Sequence, residues 1–306
     1  MKRLYFVTVI FFVTALLVLF VFYNRYASSY KEEQIDRYVS KNIDILNENL
    51  VFERQYALSL SLYISKNKHI KQALETEDQA LALQEIDSFL KEIRNTTGIA
   101  NIDIQVHTSA LRAFARNWDH SNYRGTRLDS FRKGLVRVKE SRRPFVSIEL
   151  GKRLNIKAIS PILDEQQFVG SIEVIMDFKN IKKRLKKFNL NILGLLDEKF
   201  IAIAVDLQHN TRVGKYYLLE KTFPQVLYQK LRKYPQIFDS KHFYHSIEGR
   251  IIVLVPMKSV GIEDVGVIAL SMPADGAAAE LSSAGNTMPN DTAYRFEQSQ
   301  REVTIK

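Results

Sequence analysis

Apolar and polar positions alternate one by one through four segments in the middle of the chain: residues 101–107, 145–150, 154–160 and 168–176. Period two marks a half-buried strand, because successive side chains point to opposite faces of a sheet. One face would collect Ile102, Ile104, Val106, Val146, Ile148, Leu154, Ile156, Phe168, Ile172 and Val174. The other would collect Asp103, Gln105, His107, Ser147, Glu149, Asn155, Lys157, Ser171 and Glu173. That second face either meets water or floors a pocket, and the function turns on which.

N-terminal to these strands the spacing changes to three and four. Ile43, Leu46, Leu50, Ala57, Leu60 and Ile64 form one stripe, interrupted by Glu53, and neither Gly nor Pro occurs in residues 25–95. This predicts a long helix, with corners at residues 66–68 and 75–78. Leu83, Ile86, Leu90 and Ile93 mark a further helix ending near Gly98. The stripe must be covered by the protein's own sheets, by the same helix of a second copy, or by both. Residues 4–23 carry no charge, Gly or Pro, and about twenty such residues cross the hydrocarbon core of a bilayer. Lys2 and Arg3 favour a cytoplasmic N-terminus. A signal peptide would have a shorter apolar region and a clearer cleavage site than Ala27-Ser28-Ser29. An uncleaved anchor is therefore expected.

Between the first and second alternating segments, Arg112, Phe114, Arg116 and Trp118 alternate with smaller residues, and Leu128, Phe131, Leu135 and Val138 predict a short helix. Residues 178–188, FKNIKKRLKKF, put Phe178, Ile181, Leu185 and Phe188 on one helical face and cations on the other. Such a helix reads as a nucleic-acid or lipid patch, or as a linker with a solvated outer face. The linker is the better fit, because no aromatic residue interleaves the charges and an anchor ahead keeps DNA away. Residues 189–273 form a second, smaller module. Its runs 191–196 and 200–205 suggest a hairpin, residues 223–234 a helix, and residues 243–247, 250–256 and 265–272 three more strands. Helices set against antiparallel sheets make an α+β fold. After Pro273 apolar periodicity is lost, and a flexible tail is expected.

Composition narrows the chemistry. A chain of 306 residues accommodates two domains. The absence of cysteine excludes disulfides, thiol catalysis and cysteine-ligated metal. His209, Lys215, His242 and His245 lack metal-ligand spacing, so neither metal nor cofactor is expected. No GxSxG, HExxH or P-loop occurs. What remains for an enzyme is a hydrolase using Glu149 and Glu173 as an acid–base pair, and a non-catalytic role is preferred. The net charge of +10 suits an anionic partner. Arg112, Arg116, Arg132 and Lys157 against Glu149 and Glu173 suit a small carboxylate or a zwitterion, since a guanidinium grips a carboxylate through two hydrogen bonds. Trp118 and Phe131 would supply an apolar wall. The plainer alternative is a solvated sheet face whose ion pairs contribute little.

In order along the chain, VHTSALRAFARNW (106–118), SFR (130–132), SIELG (147–151), NIKAISPI (155–162) and VGSIEV (169–174) resemble the membrane-distal module of a bacterial double Cache sensor domain, of the kind found on sensor kinases and chemoreceptors. The resemblance implies two tandem PAS-like antiparallel-sheet modules. The expected layout is an anchor at 1–24, a helical stalk at 25–98, a distal module at 99–177, a linker helix at 178–188, a proximal module at 189–273 and a tail at 274–306. The positions matching His107, Arg116, Trp118, Arg132, Glu149 and Glu173 would line the ligand site, with Lys157 beside them. The implied function is an inner-membrane sensor with its sensory region in the periplasm. It would bind a small carboxylate or amino acid, pair as a homodimer through the stalk, transmit a helix displacement, and have no nucleic-acid partner. A membrane-tethered structural or interaction protein is the alternative. The resemblance also implies a second membrane crossing and an output domain after the last strand. No second apolar 20-mer occurs, which leaves truncation, rearrangement, or signalling through another protein open.

Overall fold

Helix α1 (Lys2–Ile64) runs unbroken for 63 residues, about 95 Å at 1.5 Å per residue. The structure, a computed structural model, describes residues 2–118 and 123–276; most of the tail expected at 274–306 lies outside them. Toward its start α1 exposes Phe11, Leu16, Leu19 and Phe22. Among the described residues it is the one helix long and apolar enough to cross a membrane. Further along, Ile43, Leu46, Leu50, Ala57, Leu60 and Ile64 are all buried, because this stripe packs on the protein's own first sheet. The corners fall where the polar clusters stand. Asn67 caps α2 (Lys68–Glu75). Asp78 caps α3 (Gln79–Thr97), which ends on left-handed Gly98.

The first sheet contains β1 (Ile102–Thr108), β2 (Ala113–Arg116), β3 (Phe145–Leu150), β4 (Leu154–Asp164) and β5 (Gln167–Met176). They lie antiparallel in the order β2-β1-β5-β4-β3. Helix α4 (Lys133–Ser141) connects β2 to β3, starting later than the spacing from Leu128 suggests. Alternation sorts the faces as expected, with one exception. Phe168 packs with Leu135 and Phe145 on the α4 side, because the register shifts between Ile162 and Leu163 and reverses parity at the strand's start. On the α1 side, Ser160 hydrogen-bonds Ser61 of α1 at 2.8 Å.

Helix α5 (Lys179–Lys186) then leads to the second sheet. Its Ile181 and Leu185 are buried. Arg184 is only partly exposed: it reaches Glu53 of α1 at 2.6 Å, while Asn180 donates to the same carboxylate at 2.8 Å. The single polar break in the α1 stripe is thus held by the linker helix. Phe188 is exposed, because α5 ends before it.

The second sheet contains β6 (Asn191–Asp197), β7 (Arg212–Val213), β8 (Tyr216–Leu218), β9 (His245–Ile247), β10 (Arg250–Ser259) and β11 (Ile262–Pro273), in the order β7-β8-β6-β11-β10-β9. Helix α6 (Gln225–Lys233) covers it. The run 200–205 is not the second strand of a hairpin. Asp197 caps a 3₁₀ turn at Glu198–Phe200, and a second turn follows at Val205–Leu207. β6 pairs instead with β11 and β8. A short apolar run fits a strand or a packed turn equally well, and here Phe200, Ile201 and Ala204 pack into the main core.

The two modules touch along one edge. The Leu150 N–H donates to Ser259 Oγ at 3.0 Å, Val260 packs against the cluster under α4, and the Asp206 N–H donates to the Lys152 carbonyl at 3.1 Å.

Candidate functional site

Most of the hydrophilic face of the first sheet is shielded from bulk water, Asp103 near the start of β1 being partly exposed. Helix α4 and the segment preceding it lie over that face, and His107, Glu149, Lys157 and Glu173 are each 3% exposed or less. Arg132, at the N-cap of α4, stands at the centre. Its guanidinium forms a close ion pair with Glu173 and reaches Glu149 with Nε–Oε1 at 3.3 Å. Glu149 also accepts the Gly134 N–H at 3.2 Å, in the first turn of α4 where unpaired amides and the helix dipole favour an anion. On the far side of Glu173, His107 Nε2 lies 3.6 Å from Oε2, and Nδ1 lies 3.1 Å from Ser171 Oγ.

The titrations follow from this arrangement. Burial drives the His107 pKa down to about 4; Glu173 opposes the shift and Arg132 reinforces it, so the imidazole is neutral near pH 7. Burial pushes the Glu173 carboxyl up, but Arg132, His107 and Lys157 together outweigh it and hold the group below the usual carboxylate range. Burial likewise works against the charge of Arg132, and the two carboxylates overcome it.

A cavity of about 370 Å³ opens beside this cluster. Gln105, Asn155, Lys157 and Ile175 come from the sheet, Arg116 from β2, and Trp118, Tyr123, Leu128 and Phe131 form a largely aromatic wall. Ala113, Thr126, Arg132, Lys152, Arg153 and Asp206 complete it. The Arg116 guanidinium lies over Tyr123 at 4.2 Å and near Trp118 at 5.2 Å, within cation–π range. Tyr123 is held by its hydroxyl, which accepts from Gln79 Nε2 at 2.8 Å.

Lys157 stands apart from the other cations. It is 3% exposed, and it makes no hydrogen bond or ion pair among the described residues. Burial lowers its pKa to about 8 and Arg132 lowers it further, against the pull of Glu173 and Glu149. Gly151 makes room for it, since a Cβ there would lie 2.7 Å from Nζ.

Of the seven residues singled out in the sequence, Arg116, Trp118, Arg132 and Lys157 line the cavity. His107, Glu149 and Glu173 lie outside the lining, beside Arg132. Arg112, counted among the convergent cations, is exposed and donates to the Gly125 carbonyl at 2.7 Å. Sequence reasoning misses Tyr123, Lys152, Arg153 and Asp206. GKR at 151–153 directly follows the SIELG motif and is a usable signal; nothing local marks Asp206, which comes from the second module. Among the described residues no group of three or more His, Asp or Glu is placed to hold a metal ion.

The family model described as "Double sensory domain of two-component sensor kinase", a double Cache model, matches residues 32–275. No curated protein matches the chain. Similar solved structures include the sensor domain of the Vibrio cholerae histidine kinase DctB (15% identity, 76% of this chain and 95% of that one, TM-score 0.45). The ligand-binding domain of the Pseudomonas fluorescens chemoreceptor CtaA, in complex with L-isoleucine, is 15% identical (81% and 96%, TM-score 0.43). A domain of a putative sensory box/GGDEF family protein from Vibrio parahaemolyticus is 11% identical (79% and 97%, TM-score 0.47).

Proposed function

The chain belongs to the double Cache family of sensory domains, and on that premise we propose that the cavity over the first sheet is its sensory site and that its ligand is a small carboxylate or amino acid. The observation that carries this reading is the Lys157 ammonium. It is buried and makes no hydrogen bond or ion pair among the described residues, an arrangement that is costly, and a ligand carboxylate entering the cavity would supply a direct partner. Arg116, which lies over Tyr123 and near Trp118, also faces the cavity. The volume lies within the range of small-molecule sites. Arg132 serves by position: clamped to Glu149 and Glu173, it fixes α4 over the sheet and so shapes the cavity.

In this reading the N-terminal part of α1 anchors the protein in the inner membrane, and the sheets lie in the periplasm. With its main stripe spent on the first sheet, α1 still exposes Phe52 and Tyr63, which supports a homodimer formed along that outer side. The cavity and α1 occupy opposite faces of one sheet, and the Ser61–Ser160 hydrogen bond joins them. A ligand that tightens the sheet would shift its packing on α1, and the dimer would read that shift as a helix displacement.

The test is a thermal-shift screen of the full chain in nanodiscs against amino acids and small organic acids. A specific stabiliser, lost in Lys157→Met and weakened in Arg116→Ala, is expected. A broad library without one stabiliser would leave a tethered scaffold as the better description.

A further inference from the structure

Two lysines are buried among the described residues, Lys157 and Lys230. Lys230 has a direct partner, donating to Glu248 at 2.7 Å. Lys157 makes no hydrogen bond or ion pair among the described residues, and it lines the cavity. Resting on the sensory-site reading above but going beyond an ion pair, we infer that Lys157 captures a small aldehyde or ketone covalently, as a reversible imine on its side-chain nitrogen.

Three features support this. The first is placement. Lys157 lies in β4, an interior strand, opposite Ser147 of β3 and Ile175 of β5. Ladders on both sides hold its backbone, so the reactive nitrogen is carried by the sheet and not by a loop. The second is space. The cavity it borders measures about 370 Å³, and Gly151 has no side chain to crowd the nitrogen, since a Cβ there would lie 2.7 Å from Nζ. Thr126 and Lys152 on the same lining are exposed, which gives solutes a way in. The third is protonation. Attack on a carbonyl needs the free amine. Burial brings the Lys157 pKa down to about 8, with Arg132 reinforcing the shift and Glu173 and Glu149 opposing it. About one molecule in ten then carries the free amine at pH 7, against about one in three thousand for an ordinary lysine near 10.5.

The step is a condensation that needs neither oxidant nor reductant. The lone pair of the neutral amine adds to the carbonyl carbon, and the carbonyl π pair moves onto oxygen. Nitrogen loses a proton and oxygen gains one, giving a carbinolamine. The nitrogen pair then closes the C=N bond as the C–O bond breaks, and oxygen leaves as water. Both amine hydrogens end on that water, exchanged by way of solvent, and hydrolysis reverses the whole sequence. A ligand held in this way needs few hydrogen bonds, because one covalent bond fixes it to the sheet.

The test uses the full chain in nanodiscs of phosphatidylcholine, which carries no primary amine. The probes are pairs that differ at the carbonyl: glyoxylate and glycolate, pyruvate and lactate. Cyanoborohydride reduces any imine to a stable secondary amine, and peptide mass mapping locates it. At pH 7 glyoxylate or pyruvate should label Lys157 at least about 10-fold faster than the average exposed lysine, and the hydroxy acids should label nothing. From pH 7 to pH 9 the rate should rise about 10-fold at Lys157 but about 100-fold at exposed lysines, because Lys157 passes its titration midpoint within that range. Without reductant, pyruvate labelled with carbon-13 at its carbonyl should show an imine resonance in the wild type that Lys157→Met lacks. That second readout does not depend on a reductant reaching the buried nitrogen. Labelling confined to exposed lysines, with no imine resonance or with one that persists in Lys157→Met, overturns the inference. In that event a stabiliser found in the thermal-shift screen leaves the carboxylate-binding reading standing, whereas the absence of both stabiliser and imine removes the two together.

Discussion

Gly134 sits so close to Glu149 that its N–H donates to Oε1 at 3.2 Å, and a Cβ at Gly134 would lie 2.6 Å from Oε2. The first turn of α4 is docked onto β3 by a carboxylate that leaves no space for a methyl group. Gly134→Ala must push α4 outward or displace Glu149 from Arg132. A loss of about 1–3 kcal/mol is expected, the usual cost of overpacking a tight site, read by urea unfolding. An unchanged midpoint would show that the contact relaxes freely.

Arg132 pairs with two buried carboxylates at once, one positive charge against two negative. Removing it in Arg132→Ala leaves Glu149 and Glu173 without a direct ion pair, with Lys157 beyond pairing distance as the remaining nearby cation, and about 3–5 kcal/mol of stability should be lost. Arg132→Lys should recover little, because a single ammonium cannot fork between two carboxylates. Thermal melts of the two variants beside the wild type decide this; full recovery by lysine would mean that charge alone, not geometry, matters.

His107 makes the fold acid-sensitive. In the folded protein it takes a proton only near pH 4, whereas in the unfolded chain it does so near 6.5. Between those values the unfolded state binds more protons, so stability falls as pH drops through that window, by up to about 3 kcal/mol. Glu173, with its pKa lowered in the fold, adds a further loss at pH below its ordinary value of 4.5. Denaturant titrations at pH 7, 6, 5 and 4 should show the first slope in the wild type and its absence in His107→Gln.

Lys157 makes the opposite contribution. Its proton leaves the folded protein near pH 8 but the unfolded chain near 10.5. The unfolded state therefore binds more protons between those values, and stability rises with pH across them. Below pH 8 the full cost of the buried charge is present. Lys157→Met should stabilise the free protein at pH 7 by about 1–3 kcal/mol, flatten the alkaline rise, and abolish stabilisation by any carboxylate ligand. A variant less stable than the wild type at pH 7 would show that the ammonium is better compensated than its surroundings imply.

Phe52 and Tyr63 are the positions for following a helix displacement, because they are exposed on α1, whereas Ile43 and Leu50 are buried in the protein's own core. Spin labels at either exposed position, measured between the two copies of a dimer, should shift in distance when ligand is added. Ser61→Ala, which breaks the bond to Ser160, should reduce the shift with little change in affinity. Distances insensitive to a saturating ligand would count against signalling through α1.

Much of this molecule is legible in the order of its residues. Alternation from Ile102 to Val174 names the strands and sorts almost every side chain to its face, because a strand's period of two is imposed by backbone geometry alone. The polar corners at Asn67 and Asp78 mark helix starts for an equally local reason, since their side chains cap amides two or three residues away. Where periodicity is too short to discriminate, the pattern misleads: residues 200–205 are as apolar as a strand yet form turns, and Phe168 changes face through a bulge that alternation does not encode.

Residue order is therefore enough for the long helix, the two strand-rich regions and the set of charged residues that share one sheet face. Which of those charges meet is decided by packing in three dimensions. The fold places Glu149 and Glu173 on Arg132, leaves Lys157 without a hydrogen bond or ion pair among the described residues at the floor of a cavity, and brings Asp206 to that cavity from the second sheet's side of the chain. Spacing along a chain reports which face a side chain takes, whereas its ionic partner depends on distances between residues far apart in sequence.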